Sequence, residues 1–317
     1  MSHCFPTNVW YAAAWDAEVK QALLPRTICG KHVVMYRRAN GEVAALEDAC
    51  WHRLVPLSKG RLEGDSVVCG YHGLKFNAQG RCTFMPSQET INPSACVRAY
   101  PVVERDRFVW LWMGDPALAN PRLVPDMHWN DDSAWAGDGD TIHLKCDYRL
   151  VVDNLMDLTH ETFVHGASIG NNAIAEAPFD VTHGEKTATV TRWMKGISAP
   201  PFWAKQLQKP GPVDRWQIIR FEAPCTINID VGSGARRNRR AGRQPIGRRQ
   251  WYCPQHHYAR NGNELPLFLG LRAQLSPERA APDHRTPSRR FWHLPRGRGH
   301  SRGAAARNRR KSRPGLL

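Results

Sequence analysis

Two short segments decide how this chain is read: Cys50-Trp51-His52-Arg53-Leu54-Val55-Pro56 and Cys69-Gly70-Tyr71-His72-Gly73. Each carries one thiol and one imidazole, as Cys-x-His and Cys-x2-His, with sixteen residues between His52 and Cys69. Pro56, Gly70 and Gly73 are turn formers, so each pair belongs at a loop tip. Two such loops facing each other suit a [2Fe–2S] cluster, with Cys50 and Cys69 on one iron and His52 and His72 on the other. Imidazoles in place of two thiolates raise the reduction potential. The rival is a structural zinc site, but zinc fingers group like ligands, whereas here Cys and His alternate. Cys4, Cys29, Cys82, Cys96, Cys146 and Cys225 lack ligand spacing and read as ordinary thiols.

Around these loops, residues 8–113 read as strands. Asn40-Gly41 between two apolar runs predicts a hairpin, and Asn77-Ala78-Gln79-Gly80 predicts a second. Arg107-Phe108-Val109-Trp110-Leu111-Trp112-Met113 has the composition of a buried strand. Gly114-Asp115-Pro116, with Pro121 and Pro125 beyond, marks a domain boundary. Further on, Asp153 to Val164 fits a helix packed on one side, and Thr187–Trp193 and Trp216–Phe221 read as strands.

That helix carries a second constellation: Asp153, Asn154, Asp157, His160 and His165. His160 and His165 are five residues apart, so both face one point if the helix ends near Val164. Two His with one carboxylate form the facial triad of non-haem Fe(II) sites, leaving positions for dioxygen and substrate. Asp157, three residues before His160, falls on the same helical face and is expected to orient that imidazole or link it to another redox centre. An amphipathic helix with two incidental His is the plain alternative. A one-electron carrier beside an iron centre makes the pair of motifs coherent.

The chain has 317 residues and a net charge of +15. The charge is not spread evenly. Residues 233–317 hold 20 Arg and one Lys against Glu264, Glu278 and Asp283, a net of +18, while residues 1–232 are close to neutral. The basic balance is therefore no argument for nucleic acid or a membrane surface as partner. No run of 18 apolar residues exists, and Met1-Ser2-His3-Cys4-Phe5-Pro6 has no leader pattern, so a cytoplasmic protein is expected.

Both motifs, in this order and roughly 90 residues apart, resemble the oxygenase component of Rieske non-haem iron oxygenases. Supporting segments are Asn8-Val9-Trp10-Tyr11, Asp147 through His165, Ala199-Pro200-Pro201-Phe202-Trp203 and Pro212-Val213-Asp214-Arg215-Trp216-Gln217. The likeness covers residues 1–232. It departs at Trp51, where the family more often has Pro, and at Leu54, where it more often has a small residue. The resemblance implies an α+β fold: an all-β Rieske domain over 1–115, then an antiparallel-sheet catalytic domain, partial over 116–232. It implies a [2Fe–2S] cluster on Cys50, His52, Cys69 and His72, and mononuclear Fe(II) on His160 and His165. Asp157, Asn154 and Asp153 are its catalytic candidates. It also implies a homotrimer in which Asp157 bridges His160 to His72 of the partner subunit, and a flavin and iron–sulfur reductase subunit that passes electrons from NADH. The implied reaction uses O2 to O-demethylate vanillate, a small aromatic methoxy acid, to protocatechuate and formaldehyde. Alternatives are a monooxygenase of another methoxybenzoate or an aryl sulfonate, a Rieske electron carrier without oxygenase activity, and a basic binding protein resting on the tail.

The tail breaks the likeness. Translation in a shifted frame accounts for the break: with one base skipped, codons for Asn263–Gln274 permit a strand of this family, and those for Trp292–Pro314 permit its C-terminal helix. The family's third iron ligand, an Asp, would then be encoded across Gly297 and Arg298. As written, residues 233–317 are expected to be disordered, the iron to have His160 and His165 only, and turnover to be little or none.

Overall fold

The computed structural model describes residues 5–207, 210–235, 248–252 and 265–274. The Arg-rich runs 236–240 and 307–311, and positions 297 and 298, lie outside the described residues.

The first half is all-β. Its strands are β1 (Val9–Trp15), β2 (Leu24–Ile28), β3 (Lys31–Arg37), β4 (Val43–Glu47), β5 (Arg61–Glu63), β6 (Ser66–Val68), β7 (Lys75–Phe76), β8 (Cys82–Phe84), β9 (Val102–Arg105) and β10 (Phe108–Met113). They form three sheets, ordered β1–β10–β9, β2–β3–β4 and β5–β6–β7–β8, with every pairing antiparallel. β10 is buried along its whole length, as its apolar composition requires. Both expected hairpins form. Arg38 N–H donates to Glu42 O and Gly41 N–H to Arg38 O across the first turn. In the second, Asn77 Oδ1 accepts from the backbone N–H groups of Gln79 and Arg81.

The second half contains β11 (Trp135–Leu144), α1 (Tyr148–Met156), α2 (Glu161–Val164), α3 (Asn172–Glu176), β12 (Phe179–His183), β13 (Thr187–Ile197), α4 (Pro201–Leu207), β14 (Val213–Glu222), β15 (Thr226–Ala235), β16 (Arg248–Tyr252) and β17 (Leu265–Gln274). The strands make one seven-stranded antiparallel sheet in the order β11–β17–β16–β15–β14–β13–β12. α1 packs on β14 and β15. The two halves are the expected α+β arrangement.

Two features differ from the sequence expectation. The helix expected over Asp153 to Val164 is interrupted: α1 stops at Met156, Asp157 is extended, a short turn covers Leu158–His160, and α2 follows. The cause is Asp157, whose carboxylate caps the next turn by accepting from Thr159 N–H. The expected end of the sheet at Gly232 is also passed. β15 runs to Ala235, and β16 and β17 join the sheet beyond it, where no ordered element was expected. Leu265, Leu267, Leu269 and Leu271 alternate along β17, the period a strand needs. The two halves share a core. One cluster joins Tyr11, Val33 and Leu111 to Val151, Leu155, Ile219 and Ile229. The segment after Gly114 also packs back, with Val124, Met127 and Trp129 against Trp10, Trp110 and Trp112.

Candidate metal centres

The two cluster loops share one backbone design. In each, the Cys N–H donates to the carbonyl five residues on (Val55, Leu74), and the residue four on donates to the Cys carbonyl (Leu54, Gly73). That fourth residue has positive φ in both, +56° at Leu54 and +75° at Gly73. Gly73 fits this conformation freely, whereas Leu54 holds it against its side chain. Asp48 closes the first loop, accepting from Ser58 N–H and Ser58 Oγ–H at 2.6 Å each.

The loops bring the expected ligands together as two pairs, thiol beside thiol and imidazole beside imidazole. Cys50 and Cys69 are buried, 1% and 2% exposed, and are neighbours. Burial pushes the Cys50 thiol up to about 11, and the neighbouring Cys69 adds to the rise. His52 and His72 lie exposed above them, with Nδ1 facing Nδ1 at 3.1 Å. Two imidazoles converging through the same atom above a buried pair of neighbouring thiols fit the two-iron donor set. A cation between the thiols would offset the penalty that burial places on their thiolates. Trp51, Leu54 and Tyr71 form an exposed apolar rim.

At the second site the broken helix sets the geometry. His160 and His165 flank α2, with ring centroids 5.5 Å apart. His160 Nδ1 lies 2.8 Å from the backbone carbonyl of Asp157. That contact makes Nδ1 the protonated nitrogen and leaves Nε2 as a lone-pair donor, as a metal-binding His needs. The Asp157 backbone, not its carboxylate, therefore orients His160. The carboxylate Oδ1 accepts from Thr159 N–H and Oγ1–H, and these bonds hold it below the usual carboxylate range. Oδ2 has no hydrogen bond among the described residues. Asp153 and Asn154 lie on the exposed face of α1, and Asp153 O accepts from Asp157 N–H. Among the described residues no three His, Cys, Asp or Glu side chains gather at one point. The two His fit two of the three protein ligands of a mononuclear iron site.

Sequence reasoning missed what lies beneath them. Glu161, between the two His, is 5% exposed, and its Oε2 accepts from Arg215 Nη2 at 3.0 Å and Gln217 Nε2 at 3.1 Å. Arg215 Nη1 donates to Ile169 O, and Arg192 Nη1 donates to Gln217 Oε1. All four side chains are buried. Burial works against both guanidinium charges, and Glu161 supports that of Arg215. The signal available was the inward register of β14, where Val213, Arg215, Gln217 and Ile219 alternate toward the core.

Comparison with known proteins agrees. The Rieske [2Fe-2S] domain matches residues 9–101, and the vanillate O-demethylase oxygenase C-terminal domain matches residues 144–253, past Gly232. The chain is 45% identical over 233 residues to the vanillate O-demethylase oxygenase subunit of Pseudomonas sp., covering 72% of this chain and 66% of that protein. It is 43% identical to the iron-sulfur subunit of the toluene-4-sulfonate monooxygenase system of Comamonas testosteroni, covering 72% and 67%. It superposes on dicamba monooxygenase bound to 3,6-dichlorosalicylic acid with a TM-score of 0.80 at 33% identity, over 87% of this chain and 81% of that one. The chain belongs to the Rieske non-haem iron oxygenase family. It spans just under two thirds of the length of the vanillate O-demethylase subunits it matches. No helix among the described residues is long and apolar enough to cross a membrane.

Proposed function

We propose that this chain is the oxygenase component of a monooxygenase that O-demethylates vanillate: vanillate, O2, NADH and H+ give protocatechuate, formaldehyde, NAD+ and water. The observation that carries this is the presence of both donor sets in one chain, His52 and His72 facing through Nδ1 over buried thiols, and His160 with Nε2 left free beside His165. When bound, the cluster supplies single electrons and Fe(II) activates dioxygen. The work of the chain is to place these groups. The Asp157 carbonyl fixes the tautomer of His160, and Thr159 keeps the Asp157 carboxylate ionised. Its unengaged Oδ2 suits the bridge to His72 of the partner subunit in a homotrimer, and the exposed rim of Trp51, Leu54 and Tyr71 suits that contact. Asp153 and Asn154, on the same side of α1, are the further catalytic candidates. Electrons come from a flavin and iron–sulfur reductase subunit, in the cytoplasm. The residue encoded at the shifted-frame position of the third ligand decides how fully the iron is held.

Formaldehyde and protocatechuate measured with vanillate, NADH and the reductase test this. Equal amounts of both, coupled to O2 uptake, are expected once the third carboxylate is present. The same gene as written is expected to give little or none. NADH oxidation without formaldehyde from any aryl methyl ether would overturn the proposal. Preference for an aryl sulfonate would favour the second reading, which rests on the 43% identity to the toluene-4-sulfonate system subunit.

A further inference from the structure

The buried polar group beneath α2 has no part in the roles assigned above. α2 is one turn long, too short to hold its shape alone. It carries His160 at one end and His165 at the other, and what fixes it is a charge in the core. Glu161 Oε2 takes two donors from β14, Arg215 and Gln217, while Arg192 on β13 reaches Gln217 from the other side. Arg215 also holds the chain just past His165, through Ile169 O at 2.8 Å. Arg215 thus ties both flanks of the His pair to the sheet: Glu161 beside His160, and Ile169 four residues after His165. The backbone repeats the tie, with Gly170 N–H and Ile169 N–H donating to His165 O.

A buried ion pair is weak as a source of stability, because desolvation of both charges offsets most of the attraction. An apolar pair of similar volume would serve a core as well. What an ion pair adds is a defined position, since its energy falls steeply with misplacement. We propose that Glu161 and Arg215 are positioning residues for the mononuclear iron site. Through Gln217 and Arg192, they lock the His160 and His165 imidazoles in ligand geometry before metal arrives. This rests on the iron-site reading given above.

The test uses the full chain, with Co(II) as the probe of the mononuclear site and the visible absorption of the [2Fe–2S] cluster as an internal check of folding. Glu161→Gln keeps volume and an acceptor but removes the charge. It is expected to weaken Co(II) binding by roughly 10–100-fold, the usual range for loss of an outer partner of a metal ligand. The cluster spectrum should be unchanged. Glu161→Ala leaves Arg215 buried and unpaired and is expected to fold poorly. The double variant Glu161→Met/Arg215→Met removes both charges and is expected to recover melting temperature and cluster colour without recovering Co(II) affinity. If the double variant, or Glu161→Gln, binds Co(II) like the parent, the network is only structural and the inference is overturned. Failure of the parent itself to bind Co(II) would count against the iron site instead. In that case the tautomer of His160, read by 15N-histidine NMR without metal, decides. A single Nδ1–H form in the parent that becomes mixed in Glu161→Gln supports the inference, and an unchanged form overturns it.

Discussion

Gly170→Ala is the most direct probe of how tightly the turn that carries the proposed iron ligands is seated. Gly170 is buried and its φ is outside the left-handed region, so backbone freedom is not at issue. Space is. A Cβ there would lie 1.8 Å from Glu161 O, 2.5 Å from Glu161 C and 3.1 Å from Thr162 N. All three are backbone atoms, and no rotamer change relieves the clash. Either the 166–170 loop or α2 must shift, and Gly170 N–H is itself bonded to His165 O at 3.0 Å. Overpacking of this kind costs about 1–3 kcal/mol. At roughly 2–4 °C per kcal/mol for a domain of this size, melting should fall by roughly 2–12 °C. Displacement of a reacting geometry by about 1 Å costs on the order of 100-fold in rate, so metal affinity and turnover should fall further than stability does. Differential scanning calorimetry and Co(II) titration measure the two effects. Gly234→Ala is the control, because a Cβ at Gly234 meets nothing within 4 Å. A Gly170→Ala protein that melts and binds Co(II) like the Gly234→Ala control would refute the reasoning.

Asp48→Ala removes both acceptors of Ser58 at the mouth of the first cluster loop; a loss of about 1.5–3 kcal/mol is expected, with faster bleaching of the cluster absorbance, and equal bleaching rates would contradict it. His72→Ala leaves His52 Nδ1 without its facing nitrogen, so the purified chain should lose the brown [2Fe–2S] colour, and a coloured two-iron product would sink the ligand assignment. Thr159→Val removes the hydroxyl bond that is the largest influence holding the Asp157 carboxyl low, so its titration should move up toward the ordinary Asp value. Because the depressed pKa favours the charged, folded form, the Asp157 contribution is present above the unfolded pKa and lost as pH falls through the folded one. In the variant that contribution should be smaller and its loss complete at higher pH, and 13C NMR of the carboxylate can follow the titration.

Much of the first half was legible because its signals are local. Asn40-Gly41 and Asn77 to Gly80 place hairpins within a few residues, and Cys-x-His with Cys-x2-His is a ligand pattern whatever surrounds it. The second half depends on contacts far apart in sequence. Glu161 looked like an ordinary helical residue, and only the register of β14, 54 positions on, puts Arg215 under it. The helix break at Asp157 was hidden for another reason. The apolar spacing of Leu155 and Leu158 continues across it, while the capping preference of Asp acts against that period. The charge jump after Gly232 was plain in the composition, but composition did not reveal that the leucine alternation of 265–271 would pair into the sheet.

The single core that runs from Tyr11 and Leu111 to Leu155 and Ile229 also bears on how such subunits can be recombined. A chimera cut at Gly114 would sever a hydrophobic interior, not a linker, and would pair two half-surfaces that had never been fitted to each other. Exchange of whole subunits between relatives preserves that fit, whereas exchange of the electron-carrying half alone does not. Heat or denaturant should accordingly open both halves in one transition, so that damage on the iron side is registered as loss of colour at the cluster.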